Sequence, residues 1–191
     1  MLREDAVSHS FPSSNDPDTS NRTEPSHPRV VLEPIGKEQA PVLQNLVELY
    51  AHDFSEHVPL DLKPTGRFDI SLGDRWWTDG YYPFFIRYDE KLCGFALVRR
   101  GSKFTGAMDV MDVAEFFVIR GARRRNVGAT AAHSLFTAFP GGWEIRVRQS
   151  NAAALQFWSS AVEEWVGRPV ASAQVSFEGV DWNVLRIEPQ A

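Results

Sequence analysis

Residues 115–136, EFFVIRGARRRNVGATAAHSLF, constrain this chain more than any other stretch of its sequence. An apolar run that ends at Ile119 is typical of a buried strand, and the segment from Val127 onward has the spacing of a helix. Four arginines and a turn of small residues lie between them. The first N–H groups of a helix lack partners within the helix and carry partial positive charge. A strand that turns directly into a helix therefore predicts an anion-binding site.

The composition of this turn indicates what kind of anion it binds. Asn126, Gly128 and Ala129 keep the turn narrow, so a phosphate can reach the peptide N–H groups. The turn lacks the Gly-Lys-Ser/Thr ending and the third spaced glycine of the better-known phosphate loops. A diphosphate ligand with a further phosphate nearby matches the density of positive charge. The surrounding cations are Arg120, Arg123, Arg124 and Arg125.

Periodicity predicts the elements on either side of this turn. Strand-like runs alternate with amphipathic helical segments in the order β, α, loop, then β-β-β-α-β-α-β-β. This order predicts an α+β sandwich built on a mixed sheet. The strands are RVVLEPI, PFFIRYD, KLCGFALVRR, MDVMDVAEFFVI, PGGWEIRVRQ, ASAQVSF and WNVLRIE, and the helices cover residues 37–54, a segment from about 127, and 150–165.

Composition divides the chain into two parts. Residues 1–28 are rich in Ser, Pro, Asn and Asp, so we expect a disordered tail, and residues 29–191 are expected to form one domain. No apolar run reaches the roughly 20 residues that span a bilayer, and no signal peptide is recognisable, so we expect a cytoplasmic protein without a membrane partner. The single Cys93 lies in an apolar run and is expected in the core.

Two short motifs lie at the starts of the second and third predicted helices. Val118 ends a strand and is followed by Arg123-Arg-Arg-Asn126-Val-Gly128-Ala129, and SNAAALQFW opens a later helix. The first is similar to the Arg/Gln-x-x-Gly-x-Gly/Ala hallmark of the GNAT superfamily of N-acetyltransferases, and the second resembles that family's Asn-x-x-Ala-x-x-Phe-Tyr segment. Asn126 replaces the usual glycine, and asparagine tolerates left-handed backbone angles better than most residues.

The resemblance implies a mostly antiparallel sheet flanked by helices and acetyl-CoA as the co-substrate. In the family, acetyl-CoA lies in a V-shaped opening where the strand before the arginine loop separates from the next strand. The strand backbone pairs with the pantetheine amides, as in strand addition. The residues implied in binding acetyl-CoA are Phe116, Phe117, Val118, Arg123, Arg124, Asn126, Val127, Gly128, Ala129, Asn151 and Trp158.

The implied reaction is direct attack of an acceptor amine on the thioester. An amine with a pKa near 10 is mostly protonated at pH 7, so a base must help to remove the proton. Asp112 and Glu115 are equal candidates, and a bulge in their strand would decide which face each side chain occupies. The alternative for both is an ion pair with Arg87, Arg99 or Arg146 on neighbouring strands.

Trp158 stands where the family usually has the tyrosine that protonates the departing thiolate. Indole donates a hydrogen bond but cannot deliver a proton. Because a thiol has a pKa of about 8.5, thiolate is a tolerable leaving group. Our hypothesis is that the enzyme works without a tyrosine acid at this position.

The acceptor is expected to be a small-molecule or peptide amine. The resemblance implies that its binding wall is the first helix and the loop after it, with Tyr50, His52, Asp53 and Trp77 as candidates. Acids beside aromatic rings suit a cationic amine. The His, Asp and Glu residues there match no metal-ligand spacing, so no metal is expected.

Two other functions remain as alternatives. Trp158 in place of tyrosine also suits a catalytically silent acetyl-CoA-binding module that docks on a partner through its tail. A nucleic-acid-binding domain would use the arginines and aromatic rings, but residues 1–28 carry a charge of −3 of the total −5, which leaves −2 on the remainder. This near-neutral balance argues against a nucleic-acid partner. The oligomeric state is left open.

Overall fold

A computed structural model of the protein describes residues 29–189. The predicted disordered tail, residues 1–28, lies outside the described residues. The strands are Val30–Pro34 (β1), Tyr81–Tyr88 (β2), Lys91–Arg100 (β3), Val110–Val118 (β4), Gly142–Arg148 (β5), Ala173–Phe177 (β6) and Val180–Ile187 (β7). The α-helices are Ala40–Phe54 (α1), Val127–Ala138 (α2) and Ala152–Val166 (α3). The predicted order of elements is confirmed.

The strands form one seven-stranded sheet in the order β1-β2-β3-β4-β5-β7-β6. All neighbouring strands are antiparallel except β4 and β5, which run parallel. The parallel pair follows from the chain path, because α2 returns the chain from the end of β4 to the start of β5. The α+β fold with a mixed, mostly antiparallel sheet is therefore confirmed.

The two faces of the sheet bury different helices. Helices α2 and α3 cover one face, where the core includes Ala132, Leu135 and Val162. Helix α1 covers part of the other face through Leu43 and Val47. Within residues 29–189, no helix covers β5 and β7 on that face. The loop after α1 and the β6-β7 hairpin border the cavity there instead.

A bulge in β4 changes which way its side chains point. Leu97 of β3 pairs with Glu115 and Val98 pairs with Val113, so Ala114 has no partner on β3. Val113 and Phe116 accordingly pack into the same core cluster although they are three residues apart. The bulge therefore places Glu115 on the same face of the sheet as residue 112, whereas in a regular strand the two would lie on opposite faces. This answers the question of facing that the sequence left open.

Strands β4 and β5 separate beyond this bulge. Their parallel pairing covers only Val110 to Val113 on β4 and Gly142 to Ile145 on β5. The last part of β4, residues 116–118, is paired with β3 alone. The expected V-shaped opening is present, and the edge of β4 that faces it has backbone groups free to bind another extended chain.

Two small residues of β3 support the far end of β4. Cys93 is buried and donates a hydrogen bond to the carbonyl of Ile86, as expected for a core thiol. Gly94 pairs with Val118 and lies against the backbone of Phe117. A side chain at position 94 would collide with the carbonyl oxygen of Phe117.

None of the three α-helices within residues 29–189 combines the length and apolar character that a bilayer-crossing segment requires.

The substitution Gly94→Ala is expected to destabilise the fold by about 1–3 kcal/mol, because the added methyl group forces the end of β4 to move. The measurement is the free energy of unfolding in urea. Gly121→Ala is the matched control, since no heavy atom lies within 4 Å of the added carbon there. Equal stability of the two variants would contradict the tight packing at Gly94.

Candidate functional site

The first of two cavities lies where β4 ends and α2 begins. This helix cavity has a volume of about 640 Å³. It is bordered by the C-terminal half of α1, the free edge of β4, the arginine turn and the start of α3. Its lining residues are Tyr50, Asp53, Phe54, Glu56, His57, Phe116, Phe117, Val118, Arg120, Arg123, Arg124, Asn126, Val127, Gly128, Ala129, Asn151, Ala153, Ala154 and Phe157.

Left-handed backbone angles shape the turn before α2. Asn126 has φ 61° and ψ 7°, which confirms that asparagine adopts the angle for which the family usually has glycine. Arg124 also has a positive φ, 59°. The first hydrogen bond of the helix runs from the N–H of Thr130 to the carbonyl of Asn126 at 3.0 Å. The N–H groups of residues 127–129 therefore have no partner within the helix.

Acidic residues of α1 and the residues just after it hold two of the arginines. Arg123 donates to the carbonyl of Val118 at 2.7 Å and to Asp53 at 2.5 Å, which fastens the turn to the end of β4. Arg120 binds Asp53 at 3.0 Å and Glu56 at 3.2 Å. Burial alone would raise the pKa of Asp53, but the hydrogen bonds and charges of the two arginines outweigh it and lower the pKa.

Arg124 is the arginine of the turn that keeps its charge available to the cavity. It is exposed, lines the helix cavity and makes no ion pair among residues 29–189. Arg125 is also exposed but does not line this cavity. Arg120 and Arg123 are therefore paired and fix the shape of the turn, while Arg124 and Arg125 make no ion pair among residues 29–189 and only Arg124 of these two lines the cavity.

Close packing against α3 explains the glycine at the start of α2. A side-chain carbon at Gly128 would lie 3.0 Å from the ring of Phe157. Phe157 stacks on Phe116 with ring centroids 5.9 Å apart and lines the cavity. Phe157 was not predicted from the sequence as a site residue, although it lies within the SNAAALQFW segment.

The second cavity lies on the face of the sheet that α1 leaves uncovered. This sheet cavity has a volume of about 630 Å³ and is bordered by β3, β4, β5, β7 and the loop after α1. It meets the helix cavity at the separation of β4 from β5. The residues that line both cavities are Tyr50, Phe54, Phe116, Asn151 and Ala154.

Glu115 lies on the sheet cavity, close to where the two cavities meet. It accepts a hydrogen bond of 2.5 Å from the hydroxyl of Tyr50. Burial raises the pKa of Glu115 above its usual value, although the hydrogen bond from Tyr50 and the charge of Arg146 oppose the shift. Burial and the nearby Glu115 also raise the pKa of the Tyr50 hydroxyl, so it stays protonated and donates its hydrogen bond to Glu115.

Asp112 is held by arginines on both sides. It is fully buried and accepts hydrogen bonds from Arg99 of β3 at 2.7 Å and from Arg146 of β5 at 3.1 Å. Arg146 also donates to the carbonyl of Ala114 in the bulge at 3.2 Å. The ion-pair alternative that the sequence analysis kept for both candidate bases therefore describes Asp112, while Glu115 makes no such pair among residues 29–189.

The residues expected to bind acetyl-CoA are brought together with one exception. Ten of the eleven line the helix cavity. Asn151 is among them, and its side chain also caps α3 by accepting a hydrogen bond from the N–H of Ala154 at 2.9 Å. Trp158 instead lines the sheet cavity, where its ring meets Phe116 edge to face at 5.0 Å.

The four residues expected to bind the acceptor are separated. Tyr50 lies at the junction of the two cavities, and Asp53 lies in the helix cavity bound to arginines. The side chain of His52 is 75% exposed and lines neither cavity. Trp77 packs against the core beneath α1 and lines neither cavity. The four residues therefore do not line one common cavity.

The sheet cavity is lined by cations that the sequence analysis did not select as site residues. Five basic side chains and two carboxylates, Glu115 and Glu178, line it. A signal was present in β5, where Glu144, Arg146 and Arg148 alternate with apolar residues and so share one face. The basic residues are Arg75, Arg99, Lys103, Arg146 and Arg148.

A family model described as the acetyltransferase (GNAT) family matches residues 43–161, more than half of the chain. This chain belongs to the GNAT acetyltransferase family. The matched segment runs from α1 through the arginine turn into α3, so it includes both motifs and the junction of the two cavities. No curated protein sequence matches the chain.

Solved structures of other GNAT acetyltransferases share this fold. An acetyltransferase from Thermus thermophilus has 13% identity and a TM-score of 0.63, with 83% of this chain and 96% of that chain covered. An aminoglycoside acetyltransferase in complex with coenzyme A has 10% identity and a TM-score of 0.63, covering 84% and 95%. A spermidine N-acetyltransferase from Vibrio cholerae in complex with CoA and spermine has 11% identity and a TM-score of 0.55, also covering 84% and 95%. At these identities the likeness is one of fold.

Proposed function

We propose that this GNAT acetyltransferase transfers the acetyl group of acetyl-CoA to a small-molecule or peptide amine by direct attack on the thioester. The observation that carries the proposal is the meeting of two cavities at the separation of β4 from β5. A thioester that reaches this junction from the helix cavity would face an amine that enters from the sheet cavity. Both reactants can then be bound at once, as direct transfer requires.

Acetyl-CoA would occupy the helix cavity. The free edge of β4 at residues 116–118 offers backbone groups to the pantetheine amides, and the N–H groups of residues 127–129 offer hydrogen bonds to the pyrophosphate. Arg124 would add a direct charge contact. Arg123 would act in part differently from the expectation based on the motif, because its Nε and Nη2 already bind Val118 and Asp53. It would support the shape of the turn and its positive potential.

Glu115 would serve as the base. The amine nitrogen attacks the carbonyl carbon of the thioester, a C–N bond forms and the C–S bond breaks, so the thiolate of CoA leaves. The proton lost from the amine passes to Glu115, directly or through water. A carboxylate with a raised pKa is a better base near neutral pH than an ordinary glutamate, and Tyr50 holds its carboxylate in place. Asp112 would act as a structural anchor for two arginines.

Departure of the thiolate would proceed without a tyrosine acid. Trp158 is buried between Phe116 and Phe157 and can offer at most a hydrogen bond. The Tyr50 hydroxyl donates its hydrogen bond to Glu115, and burial and the charge of Glu115 raise its pKa further above that of a thiol, so it is poorly suited to protonate the thiolate. Because free thiolate is tolerably stable at neutral pH, solvent is sufficient to protonate it.

Replacing Arg124 tests the assignment of the cofactor cavity. Arg124→Gln is expected to weaken acetyl-CoA binding about 10- to 100-fold, the effect of losing one charge-assisted hydrogen bond of about 1.5–3 kcal/mol. The measurement is calorimetric titration with acetyl-CoA. Arg125→Gln removes the same charge one residue away, outside the cavity lining, and should change the affinity much less. A folded wild-type protein that does not bind acetyl-CoA would overturn the proposed function.

Replacing Glu115 tests the assignment of the base. Glu115→Gln keeps the hydrogen-bond acceptor for Tyr50 and is expected to lower kcat/KM about 10²- to 10⁴-fold. The wild type should lose kcat/KM as the pH falls through the raised pKa of Glu115, because the base must be deprotonated, and the variant should lack this dependence. The measurement is thiol release from acetyl-CoA as a function of pH.

The same raised pKa predicts an opposite effect on stability. The folded state binds the Glu115 proton more tightly than the unfolded state, so this group's contribution to stability is lost as the pH rises above 4.5 and through its folded pKa. Glu115→Gln should therefore be more stable than the wild type at pH 8. Asp112→Asn, the contrasting variant, leaves two arginines unpaired and should lose about 3–5 kcal/mol of stability. The pH dependence of kcat/KM distinguishes the two acids. If Asp112→Asn removed that dependence and Glu115→Gln kept it, the base would be Asp112.

A further inference from the structure

The charge of the sheet cavity is unusual for a pocket that receives an amine. Basic residues outnumber carboxylates on its walls, and Asp112 beneath it neutralises only part of the charge of Arg99 and Arg146. A cationic ligand would meet like charge there. Cations that are removed from water are costly unless an anion accompanies them. The cavity therefore has the electrostatics of an anion-binding pocket.

Three cations surround one indole ring on the cavity wall. Lys103, Arg146 and Arg148 lie 5.2, 5.4 and 5.2 Å from the ring of Trp182. Burial, and next the charge of Arg146, lower the pKa of Lys103, which is consistent with a concentration of positive charge at this point. The nearest carboxylate to Lys103 is that of Glu178, at 4.0 Å. The ring positions these cations without neutralising them.

Unsatisfied hydrogen-bond donors lie on the same wall. Within residues 29–189, Nη2 of Arg99 and Nε1 of Trp182 are buried and have no hydrogen-bond partner. Arg148 makes no ion pair there and contacts only the rings of Phe54 and Trp182 as a cation. Buried donors are seldom left unpaired in folded proteins. An oxyanion in the cavity would provide the countercharge that Arg148 lacks among these residues.

We propose that the acceptor amine also carries an oxyanion, a carboxylate or a phosphonate, which binds in the sheet cavity among Arg99, Lys103, Arg148 and Trp182. This inference rests on the proposed acetyl transfer. The oxyanion binds Arg99, Lys103 and Arg148, which we call the basic wall of the sheet cavity. The amine of the same acceptor lies toward Glu115 and the junction with the helix cavity. Guanidinium groups match the paired oxygens of a carboxylate or phosphonate better than they match a single neutral oxygen.

The same charges also favour the reaction. A positive environment disfavours the ammonium form of the bound acceptor and so lowers the pKa of its amine. The neutral amine is the form that attacks the thioester. The basic wall therefore selects acceptors that have an anion to bind and prepares their amine for attack. Polyamines without an anionic group are excluded by repulsion.

Matched ligands that differ only in charge provide the binding test. In the presence of CoA, calorimetry would compare N-acetylated glycine, alanine, phenylalanine and glutamate with the corresponding N-acetyl amides in which the α-carboxylate is neutralised. An aminoalkyl phosphonate series, likewise N-acetylated, distinguishes the two oxyanions. We expect the anionic ligands to bind about 10- to 100-fold more tightly than the amides, and added salt to reduce the difference.

Variants of Arg148 locate the effect. Arg148→Gln should abolish the preference for anionic ligands, Arg148→Lys should retain part of it, and Arg168→Gln, an exposed arginine outside the cavity, should leave it unchanged. A thermal melt of each variant checks that it is folded. Because the salt dependence is measured on the wild type, the test does not depend on the folding of any variant.

Turnover separates this inference from the proposed function. Thiol release from acetyl-CoA would be measured with the free amino acids, their amides, the aminoalkyl phosphonates and spermidine. Transfer to amides or spermidine with no preference for anionic amines would overturn the inference and leave acetyl transfer standing. Binding of the anionic ligands without transfer to any amine would overturn the transferase function and the acceptor role with it. Transfer that favours the anionic amines and depends on Arg148 is the result we expect.

Discussion

Arg146 spans the point of the sheet on which both cavities depend. From β5 its guanidinium reaches across to β4, where it binds the carboxylate of Asp112 and the carbonyl of Ala114 in the bulge. Regular pairing of the two strands ends beside this contact, at Val113. The bulge turns Glu115 toward the uncovered face of the sheet, and the separation leaves an edge of β4 free. The buried ion pair of Arg146 and Asp112 thus lies beside the proposed base, Glu115, and beside the junction of the two cavities.

Three acids around the two cavities hold arginines. Asp53 and Glu56 fix the arginine turn, and Asp112 fixes Arg99 and Arg146. Because a buried charge needs a partner, these pairs stabilise the shape of two basic cavities and leave a surplus of positive charge in each. In the helix cavity the surplus suits the phosphates of CoA. In the sheet cavity it suits an acceptor with an anionic group, and the carboxylate of Glu115 makes no ion pair within residues 29–189.

The sequence predicted what depends on neighbouring residues and missed what depends on the tertiary fold. The order of strands and helices, the turn before α2 and the left-handed Asn126 follow from local patterns, and they are confirmed. The role of Phe157 beside Gly128 requires the packing of α3 on α2. The basic residues of the sheet cavity include Arg75, Lys103 and Arg148, which come from three distant segments, and no spacing in the sequence reveals that they lie together. The sequence also left the facing of Glu115 undecided, because one extra residue at Ala114 reverses it.

Amide hydrogen exchange with and without acetyl-CoA tests the central claim most directly, because it reports backbone contacts without requiring an acceptor. The account predicts that acetyl-CoA slows exchange in peptides that contain residues 116–118 and 127–129, the free edge of β4 and the first turn of α2, and leaves the β6-β7 hairpin unchanged. Slower exchange confined to the β6-β7 hairpin, or no change at the β4 edge and the start of α2 under saturating acetyl-CoA, would contradict it.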